Sequence, residues 1–229
     1  MFSAQGPTFG ELCVQALSSV ERGYDLLAPK FDHTPFRTPE SILGATAAAL
    51  AELGPFADGL DVCCGTGAGM AVLEPVCERR ITGVDFSAGM LAQARDAHPD
   101  ASWVRADARA LPFAAGFDLA VSFGAFGHFL PRERPAVFEG VHRALRPGGL
   151  FAFAIGAPLG LASPAYWVEV GFDLVMRVRN AVWRPPFVMY YRTMPLGAVR
   201  DDLVAAGFDV TVESSGDARW GLVLARKRG

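Results

Sequence analysis

The chain has 229 residues, of which 51% are hydrophobic and 20% are charged, so it is long enough to bury a sizeable core. Its formal net charge of -3 provides no basic excess to neutralise phosphates, which argues against nucleic acid as a partner. The four cysteines have no metal-ligand spacing, and we expect reduced core residues and no metal at Cys13, Cys63, Cys64 and Cys77. The first residues lack the basic and then apolar pattern of a secretory signal, so we expect a cytoplasmic location.

One stretch, residues 150–168, carries no charge over a length that could span a bilayer. Two glycines and two prolines interrupt it: Gly156, Gly160, Pro158 and Pro164. Because these residues break helices, a strand followed by a loop is the better interpretation, and no membrane partner is expected.

From residue 59 onward, short apolar runs alternate with helical patterns, which is typical of a parallel sheet covered by helices. The predicted strands are residues 60–64, 81–85, 102–107, 117–123 and 150–155. The predicted helices are residues 69–79, 87–97 and 132–145, the last of which ends at Pro147-Gly148-Gly149.

The C-terminal part predicts a helix over residues 196–206 and then two β segments, residues 208–213 and 220–226. Only the turn around Ser-Ser-Gly-Asp separates these segments, so they must pair antiparallel. We therefore predict an α/β fold with a doubly wound, mostly parallel seven-stranded sheet that closes with a C-terminal antiparallel hairpin. Such a hairpin is unusual among dinucleotide-binding folds.

We interpret the chain as one domain, 1–229, with two additions to this core. Residues 1–54 form an N-terminal helical cap with helices near 9–27 and 39–53, residues 55–156 form the core, and residues 195–229 form the C-terminal helix and hairpin. Residues 157–194 are an insertion that is rich in aromatic side chains. The cap and the insertion are placed to cover the carboxyl ends of the strands, where open α/β sheets bind ligands.

The segment LDVCCGTGAGM places a strand before Gly65, Gly67 and Gly69 and a helix after them, as a nucleotide-binding turn requires. Met70 stands at the third position of a GxGxxG pattern, so the dinucleotide signature is incomplete. Asp85 ends the next strand, where a carboxylate can accept hydrogen bonds from ribose hydroxyls. The alternative for Asp85 is a helix N-cap, but Ser87 is the better cap.

Asp107 ends the third predicted strand, and Ala108 follows it. An acidic acceptor beside a free backbone N–H can bind the amino group and a ring nitrogen of adenine. The alternative is a solvated loop aspartate, which is common at strand ends.

Five segments in this order and spacing resemble the class I S-adenosylmethionine-dependent methyltransferases, especially those acting on small molecules such as quinone precursors. They are DVCCGTG, GVDFSAGMLAQA, ADARALPF, FDLAVSFGAFGHF and HRALRPGGLFAF, and the resemblance covers nearly all of residues 55–227. It implies a Rossmann-like methyltransferase fold with S-adenosylmethionine as cofactor. The family more often has glycine where this chain has Cys63.

The resemblance also implies roles for individual residues. The methionine and ribose portions of the cofactor would be held by Asp61, Gly65, Thr66, Gly67 and Asp85, while Asp107 and Ala108 would bind adenine. Phe86 and Phe123 would also lie at the cofactor, although ordinary core packing is an equal alternative for Phe86. By its placement, Arg37 is a candidate for the methionine carboxylate.

His128 follows the strand end where acceptor and cofactor would meet, so it is a candidate general base; the alternative is a packing or capping histidine. Three residues of the cap, His33, Tyr24 and Phe31, are further candidates to face the site. The aromatic insertion favours an apolar or aromatic acceptor, and its alternatives are a homodimer interface or plain core. Arginines in the insertion leave room for an anionic substituent on the acceptor.

The function that fits best is in-line methyl transfer to a small-molecule acceptor, in which the protein mainly aligns and desolvates the reactants. One alternative is a regulatory protein that binds S-adenosylmethionine without catalysis, which would have a blocked acceptor cavity. The other is a nucleotide-dependent oxidoreductase, against which Met70 and the antiparallel hairpin argue.

Overall fold

A computed structural model describes residues 5–157, 159–214 and 219–229 of the chain. Its helices are α1 (Phe9–Leu17), α2 (Val20–Leu27), α3 (Glu40–Ala51), α4 (Met70–Leu73), α5 (Ala88–Ala97), α6 (Arg134–Ala144), α7 (Pro164–Val182) and α8 (Leu196–Ala205). Its strands are β1 (Phe56–Val62), β2 (Cys77–Asp85), β3 (Ser102–Arg105), β4 (Phe117–Ser122), β5 (Leu145–Gly156), β6 (Phe208–Ser214) and β7 (Trp220–Lys227).

The strands form one seven-stranded sheet in the order β3-β2-β1-β4-β5-β7-β6. The first five strands are parallel to their neighbours, whereas β7 runs antiparallel to both β5 and β6. The predicted fold class is therefore confirmed. The predicted turn between the last two strands falls largely on residues 215–218, outside the described residues.

Two predicted boundaries around the core are wrong. The helix expected over residues 69–79 is the short α4, because Cys77 already pairs with Phe56 in the sheet. The strand expected from residue 150 begins at Leu145, which pairs with Phe117 across a shift in register. The Pro-Gly-Gly segment thus lies inside β5, and the positive φ of 75° at Gly148 accommodates the irregularity.

The N-terminal cap also differs from the prediction. The helix expected over residues 9–27 is divided into α1 and α2, because the Ser19 side chain accepts a hydrogen bond from the Arg22 N–H and starts a new helix. The described part of the uncharged stretch 150–168 begins as strand and loop, as predicted, but α7 starts within it at Pro164, and this helix was not predicted. Among the described residues, no helix is long and apolar enough to cross a membrane.

Apolar side chains cover both faces of the sheet and leave the carboxyl ends of its parallel strands free. Phe138 and Phe208 belong to the buried cluster on one face, and Leu43 and Leu73 belong to the cluster on the other. All four cysteines are free thiols, but the expectation of a core position is wrong for Cys13, which is exposed on α1. The two packed faces hold the strand ends in register, which places the loops after β1, β2 and β4 side by side.

Candidate cofactor and acceptor site

A cavity of about 1070 Å³ lies at the carboxyl ends of the parallel strands, under the cap and the insertion. Most of the predicted site residues line it: Arg37, Gly65, Thr66, Asp85, Phe86, Asp107, Ala108, Phe123 and His128. Asp61 and Gly67 are not among the lining residues. His33 is exposed and does not line the cavity either, so the expectation that it faces the site is wrong.

The loop after β1 has three consecutive odd-numbered positions with positive φ, at Cys63 (58°), Gly65 (54°) and Gly67 (97°). No heavy atom lies within 4 Å of a Cβ built at Gly65, so its backbone is open toward a ligand. A Cβ at Gly67 would lie 3.1 Å from His98 Cδ2, and the φ of 97° at this position favours glycine. Cys63 adopts a left-handed conformation where the resembling family more often has glycine, which is an unfavourable backbone state for a cysteine.

The carboxyl group of Asp61 lies directly beneath this loop. The residue is 1% exposed, and neither carboxyl oxygen has a hydrogen-bond partner in the structure. Burial raises the pKa of Asp61 well above its usual value, and the nearby charge of Asp85 adds to this shift. Asp61 is therefore an unsatisfied buried group beneath the loop, and its role at the cofactor stays a prediction.

Gly69, which precedes α4, leaves the space that Asp61 occupies. A Cβ at Gly69 would lie 2.3 Å from Asp61 Oδ2, although the φ of -68° would suit any residue. We expect Gly69→Ala to lower the free energy of unfolding by about 1–3 kcal/mol, because the buried carboxyl must move. Urea denaturation followed by circular dichroism measures this change.

The matched control is Gly44→Ala, because Gly44 is exposed within α3 and a Cβ there meets no atom within 4 Å. Alanine at this helical position should raise the free energy of unfolding by about 0.5–1 kcal/mol. Equal stability of Gly69→Ala and wild type would show that Asp61 does not need the space that Gly69 provides.

Asp85 lies at the end of β2 with its carboxylate on the cavity wall. Oδ2 accepts a hydrogen bond from the Gly65 N–H at 2.9 Å, and Oδ1 accepts one from the Ser87 N–H at 2.9 Å. Burial raises the pKa of Asp85, and these backbone donors oppose the shift. A carboxylate oxygen has two lone pairs, so both oxygens retain acceptor capacity for a pair of hydroxyl groups.

Ser87 starts the helix after Asp85, because its hydroxyl accepts a hydrogen bond from the Met90 N–H. The prediction that Ser87 rather than Asp85 caps this helix is confirmed. The Ser87 hydroxyl also donates to Asp25 Oδ1 at 2.6 Å, and the Gly89 N–H donates to the same oxygen at 2.9 Å. Asp25, a residue of the cap that sequence reasoning missed, thus holds α2 against the start of α5.

In the loop after β3, the carboxylate of Asp107 is already bound to another side chain, which was not predicted. Asp107 accepts hydrogen bonds from Arg109 Nε at 2.9 and 3.0 Å, and Arg109 also binds Glu133. This ion pair lowers the pKa of Asp107. Both carboxylate oxygens are engaged by Arg109, so less acceptor capacity remains for an adenine amino group, and the role of Asp107 stays a prediction.

Arg37 and Thr66 both contact a second aspartate of the cap, Asp32. The Thr66 hydroxyl donates to Asp32 Oδ1 at 2.6 Å, and Arg37 Nε lies 3.5 Å from the same oxygen while its guanidinium also binds Glu40. Sequence reasoning missed Asp32, because the contact joins positions 34 residues apart. These bonds attach the cap to the glycine loop.

His128 and Tyr24 lie side by side in the wall of the cavity. Tyr24 Oη lies 2.7 Å from His128 Nε2, and His128 Nδ1 lies 2.6 Å from the Val188 carbonyl oxygen. Since a carbonyl only accepts, Nδ1 must carry the proton, and Nε2 then accepts the hydrogen bond that Tyr24 donates. The only basic nitrogen of His128 is therefore in contact with the tyrosine hydroxyl.

Burial keeps this pair neutral. It lowers the pKa of His128, which the carbonyl of Val188 partly opposes, and it raises the pKa of Tyr24, to which the charge of Asp85 contributes. At neutral pH the imidazole is unprotonated and the phenol keeps its proton. The pair can accept one proton through the tyrosine hydroxyl without first losing another.

Mainly aromatic and aliphatic side chains surround Tyr24 and His128. Tyr24 stacks on Phe187 with ring centroids 6.4 Å apart and packs against Phe31 at 6.0 Å. The insertion adds further lining side chains: Val188, Met189, Tyr190, Tyr191 and Met194. In the described part of the chain, no group of His, Cys, Asp and Glu residues could hold a metal ion.

The sheet order, the glycine loop and the acid at the end of β2 together define a nucleotide-cofactor site on a methyltransferase-type sheet. Residues 60–149 match the methyltransferase domain family. This match covers less than half of the chain, and it shows that the core with the glycine loop and Asp85 is similar to S-adenosylmethionine-dependent methyltransferases.

Two relatives and one solved structure illustrate this similarity. Trans-aconitate 2-methyltransferase of Azoarcus sp. is 40% identical over 94 residues, which cover 41% of this chain and 36% of that protein. The 2-phytyl-1,4-naphtoquinone methyltransferase of Thermosynechococcus vestitus is 37% identical over 103 residues, which cover 43% and 45%. The chain thus aligns with less than half the length of these curated relatives.

The solved structure is a TehB-like SAM-dependent methyltransferase from Corynebacterium glutamicum. It superposes with a TM-score of 0.58 at 20% identity and covers 80% of this chain and 87% of its own. At this identity the match supports the fold alone.

Proposed function

We propose that this chain transfers a methyl group from S-adenosylmethionine to a small apolar or aromatic acceptor whose nucleophile carries a dissociable proton. One observation supports this most strongly: the same cavity is lined by Gly65 and Asp85 and by the hydrogen-bonded pair of Tyr24 and His128. A volume of about 1070 Å³ exceeds what one cofactor needs and leaves space for a second small molecule.

The cofactor end fits S-adenosylmethionine, which when bound supplies an activated methyl group together with its own leaving group. The open backbone at Gly65 allows close approach of the ligand. The carboxylate of Asp85 has free lone pairs for ribose hydroxyls, and Phe86 and Phe123 offer apolar surface beside it. These roles follow from the free hydrogen-bonding capacity of the groups that line the cavity.

At the acceptor end, we infer a proton relay. The hydroxyl oxygen of Tyr24 accepts the proton of the nucleophile while its own proton passes to His128 Nε2. The Val188 carbonyl then stabilises the resulting imidazolium through the Nδ1–H bond. His128 is thus a base that acts through Tyr24, and Tyr24 is the group that touches the acceptor.

The chemical class of the acceptor is inferred from the side chains that line the cavity around Tyr24 and His128. Aromatic and methionine side chains from the cap and the insertion favour a flat apolar ring, because such walls offer few hydrogen bonds. The naphtoquinone methyltransferase among the relatives has a name that agrees with this choice, whereas the trans-aconitate enzyme is named for an acidic substrate. Arg37, Arg105 and Arg109 already pair with carboxylates, so they do not favour a small acid.

The cavity also bears on the two alternatives. A protein that only binds the cofactor would have no space at the acceptor end, but here Tyr24 and His128 line an open volume. An oxidoreductase of the dinucleotide type is disfavoured by the antiparallel β7 and by Met70, which is fully buried at the third glycine position.

A methyl-transfer screen tests the proposed function. The purified chain is incubated with isotope-labelled S-adenosylmethionine and three acceptor sets: hydroquinones, other phenols and small carboxylic acids. We expect label in the first two sets and none in the third. Labelling of the carboxylic acids alone would contradict the apolar acceptor, and labelling of no set in a protein that binds the cofactor would favour the non-catalytic alternative.

A further inference from the structure

Helix α7 of the insertion has an inner face that forms hydrogen bonds with the rest of the chain. Asp173 on this face is buried and accepts hydrogen bonds from the backbone N–H groups of Tyr191 and Arg192. Asn180 binds both backbone groups of Phe187. These bonds fix which side of α7 faces the rest of the chain and which side faces outward.

The opposite side of α7, here called the outer face, is apolar and largely exposed, although the Trp167 indole N–H donates to the Leu161 carbonyl at 2.9 Å. Val168 is 71% exposed and Val182 is 78% exposed, although they stand at opposite ends of the helix. The outer face consists of Trp167, Val168, Gly171, Leu174, Val175, Val178, Ala181 and Val182. It contains no charged residue over its whole length.

The spacing on the outer face is that of a helix-pairing seam. Residues 168, 171, 175, 178 and 182 alternate steps of three and four, which is the a and d pattern of a coiled coil. Valines occupy four of these positions, and Gly171 at the remaining one permits close approach of a second backbone. A helix face that is exposed to solvent and packs against nothing does not require this regular repeat.

The exposed apolar area of the outer face is close to that of a protein interface. Its large side chains expose on the order of 700 Å² of apolar surface, and each partner contributes about 800 Å² to a standard protein interface. Monomeric proteins rarely expose one apolar patch of more than roughly 300–600 Å².

We propose that the outer face of α7 binds the outer face of a second copy of this chain. An antiparallel pair related by a two-fold axis would place Val175 of one copy opposite Val178 of the other, and Gly171 opposite Val182. The same surface then serves both partners, as a two-fold interface requires. A lipid surface is the less fitting occupant, because Arg177, an exposed cation near this face, lies over the ring of Tyr190 at 4.7 Å.

Sedimentation equilibrium over a range of protein concentrations tests the proposal. We expect wild type to have the mass of a dimer at high micromolar concentration and Val175→Glu to have that of a monomer. The matched control is Val204→Glu, a change at an exposed valine of α8, which should leave the dimer intact. S-adenosylmethionine binding and circular dichroism of each variant report whether the fold and the cofactor site are retained.

Four outcomes would overturn the proposal. One is a wild-type monomer at every concentration, and another is equal loss of the dimer in Val204→Glu. The third is a monomeric wild type that floats with vesicles of phosphatidylcholine and phosphatidylglycerol and loses that property in Val175→Glu, which would assign the outer face to a lipid surface. A folded Val175→Glu that remains dimeric would place the interface elsewhere.

Discussion

Replacing Tyr24 with phenylalanine is expected to lower kcat by about 100-fold or more, with little change in the affinity for S-adenosylmethionine. The hydroxyl of Tyr24 contacts His128 Nε2, whereas the ring, which phenylalanine retains, supplies the packing on Phe187. Steady-state kinetics with a hydroquinone or phenol that the methyl-transfer screen identifies measures the loss. Calorimetric titration measures cofactor affinity separately.

The relay also predicts the effects of replacing His128 and of replacing both residues together. His128→Ala should cost a similar factor, and the double variant should cost little more than either single one, because both remove one proton path. Tyr166→Phe is the matched control, because Tyr166 lies on α7 and its hydroxyl accepts a hydrogen bond from Arg192. Full turnover in Tyr24→Phe, or additive losses in the double variant, would rule the relay out.

The pH dependence follows from the same pair. Because burial lowers the pKa of His128, the imidazole stays neutral as the pH falls through its ordinary value near 6.5, and the rate should hold there. It should decline only at lower pH, when His128 becomes protonated and can accept no proton.

Replacing Asp85 with alanine is expected to weaken S-adenosylmethionine binding by about 1–3 kcal/mol, or roughly 5- to 150-fold. The change removes the acceptors proposed for the ribose hydroxyls and the partner of two backbone donors, the N–H groups of Gly65 and Ser87. Calorimetric titration with the cofactor measures the loss.

Two controls separate a loss of ligand contacts from a loss of loop order. Asp209→Ala removes an exposed aspartate of β6 that pairs with Arg228, so it should leave affinity unchanged. Asp85→Asn keeps an acceptor oxygen and the side-chain volume, so we expect an intermediate affinity. Wild-type affinity in Asp85→Ala would refute its role at the cofactor.

The sequence was most informative where the contact is local. The glycine loop and Asp85 lie within one strand-helix-strand unit, so parallel pairing of β1 and β2 alone brings Gly65 and Asp85 together. The C-terminal hairpin was predictable for a similar reason, since only a turn separates its strands.

The acceptor end depends on contacts between distant parts of the chain. Tyr24 and His128 are 104 residues apart, and Asp25 and Ser87 are 62 apart, so no local pattern indicates that they meet. Tyr24 could be named only as an aromatic residue of the cap. Its hydroxyl contact depends on how α2 packs against α5 and on where the insertion places the Val188 carbonyl.

Some local predictions were wrong or incomplete because a neighbouring interaction competes for the same atoms. The helix expected after the glycine loop is cut short by the sheet pairing of Cys77. Asp107 was assigned to adenine, yet Arg109, two residues later, occupies its carboxylate. A free carboxylate at a strand end cannot be told from a paired one by its position alone.

The site built from Gly65 and Asp85 is proposed to bind S-adenosylmethionine. Calorimetric titration of the purified wild-type chain with S-adenosylmethionine, and in parallel with NAD, measures this binding. We expect saturable binding of S-adenosylmethionine at one site per chain and no binding of NAD. Tighter binding of NAD, or no heat with S-adenosylmethionine, would contradict it.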